Sequence, residues 1–129
     1  MREKAQAWIN VSNREESMAR VLSRAAYHEG AVHHAHRAAL CALLAVFADR
    51  GWAHASDRCS DLCSMLAAHD LVAPTDVLRA ADALDAHREK LDPERTGHSP
   101  AALCDGPVGV DSLACARVVR GFVNAALSK

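Results

Sequence analysis

Aromatic residues are scarce, at 4% of the chain, and no stretch alternates apolar and polar residues in the two-residue rhythm of a half-buried strand. A sheet protein is excluded on those grounds, and the core has to close with small and aliphatic side chains. Lysine is nearly missing too, present only as Lys4, Lys90 and Lys129. Arginine supplies the other cations, which suits bidentate contact with phosphate or carboxylate, although a GC-rich genome gives the same bias. There is no excess of either charge: the formal net charge is -1, so the molecule as a whole has no field to draw in nucleic acid, and any such contact must come from a local patch. The five cysteines, Cys41, Cys59, Cys63, Cys104 and Cys115, are odd in number and lack a repeated CxxC pair. Neither a disulfide framework nor a zinc ribbon is indicated, which implies a reducing compartment. The longest apolar run, residues 38–48, is too short for a membrane span, and Met1-Arg2-Glu3-Lys4 opens no signal peptide. The expectation is a soluble cytoplasmic protein with no membrane partner and no cofactor.

What the chain has is alanine at helical spacing. A length of 129 residues supports one core and one domain, 1–129, and the class is all-α. The centre of the pattern is residues 27–50, where the histidine-dense stretch Tyr27-His28-Glu29-Gly30-Ala31-Val32-His33-His34-Ala35-His36 runs straight into a segment of Ala, Leu, Cys, Val and Phe with no solvated face. Gly51 is placed to stop that helix. A first helix is expected over 2–25, its stripe of Ala5, Trp8, Ile9, Ala19 and Leu22 interrupted by the polar Ser12-Asn13-Arg14-Glu15-Glu16-Ser17, which reads as a solvated turn or a groove. Ser56 or Asp57 is placed to cap a third helix reaching about residue 69, and Thr75 a fourth over 76–91. Residues 92–109 carry Pro93, Gly97, Pro100, Gly106, Pro107 and Gly109, and read as a long loop of functional type. Asp111 is expected to cap the last helix.

In order and spacing, Trp8-Ile9, Tyr27 with Ala31, Ala35-His36-Arg37-Ala38-Ala39, Leu84-Asp85 and Phe122-Val123 resemble the markers of the small stand-alone HEPN domains of prokaryotes, over nearly the whole chain. The resemblance implies an up-and-down bundle of four to five helices that dimerises, and a family in which many members are ribonucleases or toxins paired with a nucleotidyltransferase antitoxin. In the ribonuclease members an Arg is followed, after four to six residues, by a His at the end of the fourth helix. The Arg holds a phosphate and the His assists attack by a ribose hydroxyl. Arg88 takes the Arg-like place here, but Pro93, Glu94 and Arg95 stand where the His should be. The stretch from Arg95 to Pro100 is an eroded version of the Tyr-Pro-Asp turn of non-nucleolytic members.

Side-chain chemistry offers two candidate sets. Arg88, Arg95 and His98 would combine charge stabilisation with a proton carrier, as cleavage of a phosphodiester requires; a solvated Arg and a loop His are the plainer reading. On a helical wheel Glu29, His33 and His36 share a face with Leu40, Leu44 and Phe47, opposite Ala35, Ala38, Ala42 and Ala45. The first three could ligate a divalent metal, although no supporting shell is visible and the expectation is that no metal binds. The last three are expected to form a homodimer surface. His34 is read as a core-edge histidine and Cys59 with Cys63 as buried hydrophobes. The leading reading is a HEPN-like dimer that binds a nucleotide or RNA, toxin-like, partnered by a nucleotidyltransferase, and at most a weak metal-independent ribonuclease. A helical interaction module without catalysis stands second, and a metal enzyme on Glu29, His33 and His36 third.

Overall fold

The computed structural model describes residues 2–129. Among them are seven helices and no strand: α1 (Glu3–Arg24), α2 (His28–Arg50), α3 (Cys59–Ala67), α4 (Thr75–Glu89), α5 (Pro93–Thr96), α6 (Pro100–Leu103) and α7 (Gly106–Leu127). The four long helices form the bundle. α2 runs through its centre, against α1, α7, α4 and α3, and its C-terminal half is enclosed: Ala31, Val32, Ala35, His36, Ala38, Ala39 and all of residues 41–47 lie inside, while Arg37 reaches solvent. α2 has the length and apolarity of a membrane span, yet 72% of its apolar window is covered by the other helices. Alanines along the helix, with Ala5 and Ala19 of α1, let backbones approach closely. Phe47, Leu43, Leu62, Leu66 and Leu84 fill the volume between them, each worth about 1.5 to 3 kcal/mol in burial.

Gly51 ends α2 at φ 69°, donating its N–H to the Phe47 carbonyl, a left-handed stop that a β-carbon would strain. The chain then turns on Trp52, whose ring stacks on His69 at 4.0 Å and meets Phe47 edge-on.

Several boundaries differ from the sequence expectation. The polar middle of α1 is not a turn: the helix is continuous, Ser12, Asn13 and Glu16 form a seam with α7, and Arg14 and Ser17 line a shallow cleft with Met18, Val21 and Leu22. The buried Ser12 hydroxyl donates to the Ala38 carbonyl of α2 at 2.6 Å and accepts from Arg120 Nε of α7 at 3.0 Å. Arg120 also meets Asn13 and Glu16. Residues 92–109 are not a long loop. Asp92 accepts from the Glu94 N–H and starts α5, and Asp105 accepts from the Val108 N–H and starts α7. Pro93, Pro100, Gly106 and Pro107, which looked like breakers, sit in the first turns of helices, where proline fits without loss of a hydrogen bond. Asp111, expected as the α7 cap, lies inside that helix and accepts from His87 of α4 instead. Pro74, with Thr75 already helical, is the residue before α4.

Candidate functional site

α3 has no side-chain cap of its own: the residue before it is Arg58, and nothing local accepts from its first amides. The cap comes from another helix. Asp85 of α4, 3% exposed, accepts from the Cys59 N–H at 2.9 Å with Oδ1, and from the Ser60 N–H at 2.9 Å and hydroxyl at 2.6 Å with Oδ2. Oδ1 also bonds His36 Nε2 of α2 at 2.9 Å. Burial pushes the Asp85 carboxyl up, but the hydrogen bonds from His36, Ser60 and Cys59 outweigh it and hold the group at about 2. A carboxylate at a helix N-terminus is also favoured by the helix dipole. Ser56 stays local: it accepts from the Arg58 N–H and donates to Asp61.

His36 and Asp85 form the floor of a cleft of about 260 Å³ whose rim carries Arg58, Arg88, Glu89 and Arg95. Glu89 Oε1 accepts from Arg58 and from Arg95, each at 3.1 Å, so one carboxylate bridges these two guanidiniums. Arg88 differs. Half-buried, its guanidinium makes no ion pair or hydrogen bond among the described residues, and it lines a second cleft of about 380 Å³ as well. Tyr27, Glu29, Gly30, His33 and His34 form that second cleft, with Leu91 and Pro100. His34 is fixed by Glu15 of α1 at 2.5 Å. Burial raises the Glu15 carboxyl, but the hydrogen bond and charge of His34, with the charge of Arg37, bring it below the usual range. The His33 ring meets His34 edge-on at 4.8 Å. Burial first, then the electrostatics of His34, Arg88 and Arg37, hold His33 below its ordinary pKa.

No protein-family model and no curated protein matches the chain. Two solved structures do match in shape: TT1696 from Thermus thermophilus, at TM-score 0.84 and 21% identity over 96% of this chain and 98% of that one; and ST0689, an archaeal HEPN homologue, at TM-score 0.81 and 19% identity over 97% and 98%. The fold is HEPN-like.

Within this HEPN-like bundle the residues singled out by sequence are only partly brought together. Arg88 and Arg95 share the first cleft. His98 is exposed beyond α5, its backbone N–H and carbonyl tied to the Thr96 hydroxyl, and it does not line that cleft. Glu29, His33 and His36 are not one set: Glu29 and His33 face the second cleft, whereas His36 turns to Asp85 under the first. The shared face expected for these three is therefore corrected. The close group of metal-ligand type among the described residues is His36, Cys59 and Asp85, their ligand atoms within 4.8 Å. Its chemistry is that of a cap: each Asp85 oxygen already accepts two hydrogen bonds, and burial first, then Asp85, push the Cys59 thiol well up. Two of the three residues expected on a dimer surface are turned inward. Phe47 is fully buried within the chain and Leu44 is 7% exposed, because α2 is enclosed by its own bundle; Leu40 is half-buried.

Sequence reading missed Asp85 as a cap and Tyr27 as a cleft wall. The first left no local signal, since donor and acceptor are 26 residues apart. The second had one: an aromatic just before a helix and three residues ahead of a glycine.

Proposed function

We propose that this protein is a HEPN-like, cytoplasmic binder of RNA or a nucleotide, with ribonuclease activity weak or lost. The observation that carries the reading is Arg88: a half-buried guanidinium with no carboxylate partner among the described residues, at the junction of two clefts. A guanidinium so placed is free to form a bidentate contact with a phosphate. Arg95 stands in the same cleft but spends its charge on Glu89 and Asp92. The weakness of any catalysis follows from His98 lying outside the cleft, because a positioned proton-transfer group typically contributes about 10²- to 10⁴-fold in rate. A nucleotidyltransferase partner and a toxin-like role follow from the HEPN resemblance, and so does a homodimer, for which Leu44 and Phe47 have no surface left to give.

The test is RNA binding and cleavage by wild type and Arg88→Ala. Binding without turnover, lost in the variant, supports the reading. Robust cleavage, or binding indifferent to Arg88, overturns it. The interaction module without catalysis is favoured by one observation: Asp85, Glu15 and Glu16 are all absorbed in contacts between helices, as expected of polar groups that hold a scaffold together.

A further inference from the structure

We propose that the two clefts meeting at Arg88 are adjacent subsites for one single-stranded ribonucleotide segment, with the linking phosphodiester at Arg88 and a base stacked on Tyr27. The inference rests on the reading that Arg88 receives a phosphate, and names the ligand as a chain of at least two nucleotides.

Tyr27 is 56% exposed, an unusual state for the one tyrosine of a chain so poor in aromatics. Its ring lies over the first turn of α2 because residue 30 is glycine. A β-carbon there would stand 2.5 and 2.7 Å from ring carbons of Tyr27 and 2.8 Å from Leu22, distances that no packing tolerates. Gly30 thus leaves room for the Cδ1–Cε1 side of the ring against the helix, and the ring, more than half exposed, lines the second cleft. A seated aromatic beside a free guanidinium is the pairing by which single strands are held: the base stacks, the phosphate is neutralised, and sequence matters little. His33, on the wall of the same cleft, offers a ring nitrogen for a hydrogen bond with a ribose hydroxyl.

The first cleft is built for something else. Its arginines Arg58 and Arg95 are already paired through Glu89, and Asp57 and Asp92 add acceptors. A second phosphate would meet those carboxylates, whereas the edge of a base or a ribose would find donors and acceptors together. One phosphate at the junction, one stacked base in the second cleft and one edge-bound nucleoside in the first match the different chemistry of the two walls.

Binding to the full chain of uridine 5′-monophosphate, the dinucleoside monophosphate UpU and an unrelated anion, inorganic sulfate, separates the outcomes. UpU is expected to bind at least about tenfold more tightly than the mononucleotide. Tyr27→Ala should weaken both nucleotides by about tenfold, the scale of one stacked base, and Tyr27→Phe should restore them, since stacking needs only the ring. In Arg95→Ala the ratio of UpU to mononucleotide affinity should fall toward one. Equal affinities for UpU and mononucleotide, both lost in Arg88→Ala, would overturn the two-subsite inference and leave the Arg88 reading standing. Nucleotide binding no tighter than sulfate, or indifferent to Arg88, would overturn both.

Discussion

The carboxylate of Asp85, in α4, accepts the Cys59 N–H at 2.9 Å and so closes the first turn of a helix to which it does not belong. α3 is nine residues long, well below the length at which an isolated helix holds in water. Its existence depends on α4 being in place.

Asp85→Asn should therefore destabilise the fold by about 1 to 2 kcal/mol at pH 7, the usual scale of a lost cap, with more lost in Asp85→Ala, where the His36 ring is left without its partner. The sign of the pH dependence follows from the depressed carboxyl. Its contribution is complete above the ordinary value of 3.8 and disappears as pH falls through about 2. Denaturant unfolding of wild type and Asp85→Asn between pH 7 and pH 2 should show a gap that is constant at neutral pH and narrows in acid.

Arg88→Ala and Arg120→Ala should separate binding from folding. Arg88 holds no internal partner among the described residues, so its loss should leave the stability within about 0.5 kcal/mol of wild type while abolishing nucleotide binding. Arg120 links Ser12, Asn13 and Glu16 across the bundle. Its removal should cost about 1 to 2 kcal/mol, because the buried Ser12 oxygen loses its donor from α7 and Glu16 keeps only Arg117. Thermal melts alongside binding titrations check both arms.

His98→Ala should change neither RNA binding nor any residual cleavage, since His98 bonds only to Thr96 through its backbone. A variant that loses binding with its fold intact, shown by circular dichroism, would return His98 to the site.

Leu44→Glu should unfold the chain rather than split a dimer. At 7% exposure this position has no water for a carboxylate, and burying an unpaired charge is prohibitive. Light scattering paired with circular dichroism distinguishes the results: loss of helix is expected, and a folded species of halved mass would contradict the enclosure of α2.

The helices were legible in the sequence because alanine periodicity, Gly51 and the apolar segment of α2 act locally. The order of the markers, from Trp8-Ile9 to Phe122-Val123, was enough to resemble HEPN proteins, and the shape agrees with it. Residues 92–109 were misread because Pro and Gly open helices as well as break them, and Asp92 and Asp105 decide which. The site was half legible. Arg88 and Arg95 do converge, but the fate of His36 depended on a carboxylate 49 residues away, and no spacing on one helix reveals that. Glu29, His33 and His36 share a wheel face, yet a central helix meets different surroundings along its length, an open cleft at Glu29 and His33 and Asp85 of α4 at His36.

That enclosure of α2 also sets how the molecule comes apart. Because no neighbour can leave without baring part of the same central helix, the amides of Leu43, Leu44, Val46 and Phe47 should exchange with solvent only when the whole chain opens, whereas α5 and α6, with no buried residue between them, should exchange through local fluctuations of low cost. The rim of the first cleft is thus carried partly by the softest part of the chain, through Arg95 on α5, and its floor by the most rigid.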